Sequence, residues 1–194
     1  MQPKRAEIRI IDSKILSDDW YSLKKYTFDI QRRNGEWQRQ SREVYDRGNG
    51  ATLLLFNRNR KTVILTRQFR FPIFMNGHDG YLIETAAGLL DNMDPESRIK
   101  AEVEEETGFR LSKVQKVFEA YMSPGSVTEK LYFYIAEYDE EKRASAGGGI
   151  EAEGEDIEVL ELTLDAALAA IESGLIVDGK TIMLLYHVAL KGIL

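Results

Sequence analysis

Residues 88–109 read GLLDNMDPESRIKAEVEEETGF, and the fold turns on how this stretch is read. Asp94-Pro95-Glu96 has the order of a helix start: a capping carboxylate, a proline at the first helical position where no N–H is needed, and an acidic first turn. The spacing predicts a helix from there to about Glu106, with Gly108 placed for a left-handed C-terminal cap. Glu102, Glu105 and Glu106 then share one helical face, and Ile99 and Val103 make the opposite, apolar one. Like charges at that spacing repel. A glutamate run is commonly a solvated face, but this one sits on an anchored helix entered by a loop bearing Gly88. Carboxylates held in that way are the hard oxygen ligands that Mg2+ or Mn2+ takes, with water and phosphate oxygens completing the shell.

Outward from this helix the pattern changes to period two. Tyr26, Phe28 and Ile30 alternate ahead of Asn34-Gly35, so residues 21–31 and 36–46 are predicted to form a β-hairpin closed by a type I′ turn. Strands follow at 51–56 and 62–68, and again at 81–85, 114–122, 130–138 and 157–162. Residues 144–154 contain Gly147-Gly148-Gly149 and are expected to be a mobile loop with neither helix nor strand. Leu164, Ala167, Leu168 and Ile171 recur at helical spacing before Gly174, and residues 180–190 repeat the pattern. Runs of strands broken by a few helices indicate an α+β sandwich rather than a doubly wound sheet.

With 194 residues the chain has room for one sizeable core, and folding removes on the order of 70% of the extended chain's surface from water at this length. It has no Cys, which excludes disulfides, thiolate nucleophiles and Cys-ligated metal; two His, His78 and His187, cannot build a His-rich site. A net charge of −6 argues against a general nucleic-acid binder, while a divalent cation can still invert the local sign for a small phosphorylated ligand. Residues 1–14 carry charges throughout without an apolar leader, and no stretch approaches the ~18 apolar residues of a membrane span. These features predict a cytoplasmic protein with no membrane or nucleic-acid partner.

The 88–109 stretch resembles the signature of the Nudix hydrolases, G-x5-E-x7-R-E-U-x-E-E-x-G-U with U aliphatic, through Gly88, Glu102, Val103, Glu105, Glu106, Gly108 and Phe109. Its loop is one residue short, and Ala101 stands at the signature Arg. Counting forward from Gly88, the first signature Glu falls on Asp94; counting back from the helix, on Met93. Beyond this box, REVYDRGNGAT (42–52), RQFR (67–70), ETAAGLLDN (84–92), YMSPGSVTE (121–129), AGGG with EDIEVLEL (146–162) and DGKT (178–181) are similar to the GDP-mannose hydrolase branch of that family.

The resemblance implies an α/β/α sandwich with a mixed β-sheet core over residues 47–194, and an N-terminal antiparallel β extension over residues 1–46. It implies Mg2+-dependent hydrolysis of a nucleotide-sugar pyrophosphate, GDP-mannose giving GMP and mannose 1-phosphate, with Mn2+ able to substitute. Carried over residue by residue, the metal ligands are the Ala87 carbonyl, Glu102 and Glu106. Glu105 is a further ligand or lies just behind them. Glu155 is the general base, with Glu151 and Glu153 close enough in sequence to compete for that role. Substrate contacts fall on Trp20, Ser41, Arg42, Glu43, Arg70, Ala87, Gly88, Glu129 and Lys180. Arg70 suits phosphate because a guanidinium fork binds two oxygens, and Trp20 offers a flat face to a base. The resemblance also implies a homodimer made through the N-terminal sheet, which the marginal stability of a lone hairpin allows. ADP-ribose or another nucleoside diphosphate sugar is the alternative substrate, and a non-catalytic nucleotide-sugar sensor the alternative role.

Overall fold

A computed structural model of the chain describes residues 6–194; the charged stretch Met1–Arg5 lies outside the described residues. The described chain divides into two compact units, residues 6–49 with 121–129, and residues 50–120 with 130–194.

The first unit is a three-stranded antiparallel sheet of β1 (Ile8–Asp18), β2 (Ser22–Gln31) and β3 (Trp37–Asp46), in the order β1-β2-β3. The β2–β3 hairpin closes at Asn34-Gly35, where Gly35 takes the positive φ of 88° that such a turn needs. Strand β1 was not expected, because Arg9, Asp12 and Lys14 interleave with its isoleucines and read as a charged tail. Its ladder with β2 is broken by irregularities at Ile10/Asp12 and Ile15/Ser17, a common device on edge strands. The segment 121–129 joins this unit: Tyr45 donates to the Ser126 carbonyl and accepts from Thr128 N–H, and Thr128 Oγ1 donates to Asp46 at 2.7 Å. Ser123-Pro124-Gly125 is the expected turn, with Ser126 and Val127 both donating to the Ser123 carbonyl.

The second unit carries a seven-stranded mixed sheet. Strands β10 (Glu158–Thr163), β5 (Thr62–Phe69), β4 (Gly50–Asn57), β9 (Lys130–Glu137) and β8 (Gln115–Tyr121) follow in that order, with β6 (Tyr81–Glu84) paired to β5 and β7 (Ala86–Leu89) to β4. The β4–β9 pair is parallel; the β5 pairings and β4–β7 are antiparallel. Strand β4 is the axis, buried along seven of its eight residues. Its alternation sends Ala51, Leu53 and Leu55 into a core shared with Ile99 and Val103 of α2 (Pro95–Thr107), closed by Phe109, Tyr134 and Tyr138. Thr52 lies on the other side of the pleat and joins a hydroxyl network that reaches α4 (Gly179–Leu190), which packs beside α3 (Leu164–Glu172). A short α1 (Phe71–Phe74) follows β5. Among the described residues no helix is long and apolar enough to cross a membrane.

Candidate active site

Helix α2 starts and stops as its sequence dictates. Asp94 accepts a capping hydrogen bond from Ser97 N–H at 3.0 Å, Pro95 occupies the first turn, and Gly108 ends the helix in the left-handed region with φ 79°. The shortened entry loop turns through Asp91 and Asn92, both at positive φ, which short polar side chains tolerate best after glycine. Residues 86–89 are not loop but strand β7, paired to β4 with Ala87 opposite Thr52 and Gly88 opposite Ala51. This places the Ala87–Gly88 backbone against the acidic face of α2. Gly88 has no alternative residue there, since a Cβ would strike the Glu102 carboxylate.

Glu102 and Glu106 are both buried, one turn apart. Burial first, then Glu105, Glu155 and Asp91, push the Glu102 carboxyl up to about 7, even though the Arg98 guanidinium paired with it pulls the other way. Arg98 also donates from Nε to the Leu89 carbonyl at 3.0 Å and so ties helix to strand. Burial, then the Glu102 and Glu84 charges, drive Glu106 well above the ordinary carboxylate range. Glu106 Oε2 is fully buried and has no hydrogen-bond partner. Such an atom is costly unless something else occupies its lone pairs.

Glu155 adds to the shifts of both helix carboxylates, so its charge is within electrostatic reach of each. Its Oε2 accepts from Ile150 N–H at 2.9 Å, folding the side chain back on its own loop. That loop is pinned, contrary to the mobility expected from its glycines. Gly148 N–H donates to the Glu106 carbonyl and Gly149 N–H to the Glu105 carbonyl, satisfying carbonyls that the end of α2 leaves open. Residues 151–153 form a single 3-10 turn within it, with Glu151 and Glu153 exposed.

A second group of charges stands beside the first. Glu84, at the end of β6 and only 2% exposed, receives Arg70 Nε at 2.7 Å on one carboxylate oxygen and Lys180 Nζ at 2.5 Å on the other. Burial raises the Glu84 carboxyl, but Lys180 and then Arg70 outweigh it and hold it below the ordinary value. Lys180 also reaches Asp178 at 3.0 Å. Asp178 caps α4 through Thr181 N–H, and Thr181 Oγ1 accepts from Thr85 N–H at 2.8 Å. Thr85 Oγ1 meets Thr52 Oγ1 at 2.8 Å, and Thr52 donates to the Ala86 carbonyl. The chain of bonds thus fixes the residues just before Ala87 between β4 and α4.

The remaining sequence candidates lie in the first unit. Trp20 is 84% exposed, edge-on to Tyr21. Ser41 bonds Thr27 across the β2–β3 ladder, Arg42 donates to the Ser41 carbonyl, Glu43 sits opposite Lys25, and Glu129 pairs with Arg47 at 3.6 Å. Sequence reading missed Glu84, Asp178 and Arg98. Arg98 was findable, four residues before Glu102 on the same helical face.

A family model described as the GDP-mannose pyrophosphatase NudK N-terminal domain matches residues 7–45. The GDP-mannose pyrophosphatase of Pectobacterium atrosepticum is 56% identical over 188 residues, 96% of each chain. The protein of the same name from Citrobacter koseri is 56% identical over 182 residues, 93% of this chain and 94% of the other. The chain belongs to the GDP-mannose pyrophosphatase branch of the Nudix hydrolases. A crystal structure of an ADP compounds hydrolase superposes with a TM-score of 0.69 at 16% identity, covering 98% of both chains, which supports the Nudix fold. Nudix hydrolases work with a divalent metal ion. The residues of this Nudix chain fit one: Glu106 Oε2 is a buried, unpartnered hard donor, Glu102 is one turn away, and the backbone of β7 runs alongside. Among the described residues, no three acidic or imidazole side chains converge tightly enough to enclose an ion by themselves.

Proposed function

We propose that this Nudix hydrolase cleaves the pyrophosphate of GDP-mannose to GMP and mannose 1-phosphate, with Mg2+ bound by Glu102, Glu106 and the Ala87 carbonyl, and with Glu105 close behind. A water oxygen bonds to one phosphorus while the bond from that phosphorus to the bridging oxygen breaks, and the bridging oxygen leaves with the other phosphate. The observation that carries the hydrolytic reading is the buried, unpartnered Glu106 Oε2 one turn from Glu102. The names and 56% identity of the relatives favour GDP-mannose as substrate. A bound divalent cation neutralises diphosphate oxygens and lowers the pKa of water. Glu155 accepts the proton of the attacking water, a role supported by its electrostatic reach to both helix carboxylates. Arg70 and Lys180 offset diphosphate charge, Gly88 leaves room beside Glu102, and Trp20, Ser41, Arg42, Glu43 and Glu129 supply contacts to the nucleotide and sugar.

The sheet β1–β3 serves as a homodimer interface in this reading, supported by the exposed Ile8, Ile10, Ile15 and Leu16 of β1. The cytoplasm is the proposed location, which suits a chain without cysteine. The test is phosphate release, through a phosphatase acting on the products, over a panel of nucleotide sugars with Mg2+. GDP-mannose is expected to show the highest kcat/KM. A higher value for ADP-ribose overturns the substrate, and no hydrolysis of any member overturns the reaction in favour of a sensor.

A further inference from the structure

Glu84 has no counterpart in the catalytic roles above, yet it is the most enclosed charge beside them. We propose that Glu84 is a positioning residue for hydrolysis: its carboxylate bridges Arg70 and Lys180 and thereby aims the free end of the Arg70 guanidinium at the diphosphate. The inference rests on the reading of Arg70 as a phosphate contact and deepens it.

The three residues come from separate elements. Arg70 follows β5 as the residue before α1, Glu84 ends β6, and Lys180 lies in the first turn of α4. An arginine at a strand end has several free torsions. Here its backbone N–H donates to the Gly80 carbonyl at 2.7 Å, and Nε to Glu84 Oε1 at 2.7 Å. Because Nε is the nitrogen used, both terminal nitrogens are left for a ligand, and they make no hydrogen bond among the described residues. The side chain is 41% exposed. That is the presentation a guanidinium needs to grip two phosphate oxygens at once.

Glu84 can hold this pose because it is itself held. Lys180 takes its second oxygen at 2.5 Å and is braced by Asp178 at 3.0 Å, while the Glu84 carbonyl accepts from Thr66 Oγ1 at 3.1 Å. At 2% exposure the carboxylate meets no solvent, so it acts through its partners rather than on substrate. A purely structural ion pair tying β6 to α4 would stabilise the fold without any link to Arg70's work.

A double-mutant cycle separates these. Glu84→Gln keeps the shape and removes the charge; Arg70→Ala removes the fork; kcat, KM and the inhibition constant of free GDP are measured for both and for the pair. A misplacement of about 1 Å at a positioned group costs up to about 10²-fold, so Glu84→Gln should lower kcat/KM by about 10- to 10²-fold and weaken GDP. In the Arg70→Ala background the same change should cost less than about threefold, since groups acting as a unit are not additive. Glu84→Asp, charged but too short to span both cations, should behave like Glu84→Gln, and serves if the latter fails to fold. If Glu84→Gln costs the same factor with or without Arg70, or lowers only Tm, the proposal is overturned and Arg70 stands. If Arg70→Ala leaves both kcat/KM and GDP binding unchanged, the phosphate reading of Arg70 falls and takes the proposal with it. GDP or inorganic pyrophosphate binding, read by calorimetry, tests the clamp even where GDP-mannose is not turned over.

Discussion

Gly88→Ala is the smallest change that should disable the helix carboxylates without touching them. Gly88 is not among the glycines at positive φ, so alanine carries no backbone strain there, and the whole effect is steric. A Cβ at this position would lie 2.6 Å from Glu102 Cγ and closer still to the carboxylate. Carbon pairs pack at about 3.5–4.0 Å, so Glu102 must move by about an ångström or more. It has little room to do so, being buried and paired with Arg98. Overpacking of this kind costs about 1–3 kcal/mol, and a chain of this size loses about 2–4 °C in Tm per kcal/mol. Misplacing a ligand by about 1 Å costs up to about 10²-fold in turnover. The variant should therefore fold with Tm lowered by roughly 2–12 °C, while kcat falls by about 10- to 10²-fold and the Mg2+ concentration for half-activity rises. Steady-state kinetics over a Mg2+ titration, with calorimetry for Tm, measure all three. A folded Gly88→Ala protein with wild-type kcat and wild-type Mg2+ dependence would refute the placement of Glu102 at the reacting phosphates.

Glu106→Gln should abolish most turnover at saturating Mg2+ while leaving the metal-free protein at least as stable, because a buried, unpartnered carboxylate is replaced by a neutral amide; calorimetry and turnover are read together. Glu155→Gln should lower kcat by about 10²–10⁴-fold with little change in Mg2+ dependence, whereas Glu151→Gln and Glu153→Gln should stay near wild type; sensitivity at either of those instead would move the base. Lys180→Met should destabilise by about 3–5 kcal/mol, the cost of breaking one side of a buried pair, and a loss below about 1 kcal/mol in denaturant unfolding would contradict the bridge. Glu84 is held below its ordinary value of 4.5 by Lys180 and Arg70 against the opposing effect of burial, so its contribution to stability is present above that pH and lost as pH falls through the native value. The Tm difference between wild type and Glu84→Gln should shrink on acidification below about pH 4.5, and a difference that is flat with pH would count against it.

Legibility from sequence followed how far apart the partners lie along the chain. Asp94, Pro95 and Gly108 announce α2 through contacts a few residues away, and Asn34-Gly35 announces its hairpin in the same way. Strand β7 escaped because Ala86-Ala87-Gly88 has small side chains with low strand preference, and its pairing to β4 is settled by burial, which the letters do not carry. Helix α1 is four residues with a proline, too short for any periodicity. The glycine loop looked free because Gly147 to Gly149 resist regular structure, yet the open carbonyls of α2 capture it. Glu84 was invisible for the plainest reason: its partners lie 14 and 96 residues away. A glutamate ending a short strand reads as surface until those partners are known.

The same residue type therefore takes three conditions within this second unit, set by what faces it. Glu84 is buried between two cations that hold it ionised, with one donor on each carboxylate oxygen. Glu106 is buried near the Glu102 and Glu84 charges, and its Oε2 has no protein partner. Glu155 accepts from a backbone N–H of its own loop, a single hydrogen bond that the proposed base role would have it give up to reach water. Glu84 holds Arg70 Nε and Lys180 Nζ, and neither of those nitrogens satisfies Glu106 Oε2. Local charge is thus partitioned: paired at Glu84 and unpartnered at Glu106 Oε2, the arrangement that the proposed divalent ion requires. Glu84 has both its cations built into the chain, whereas Glu106 Oε2 has none, so a cation that satisfies that oxygen must come from outside the protein.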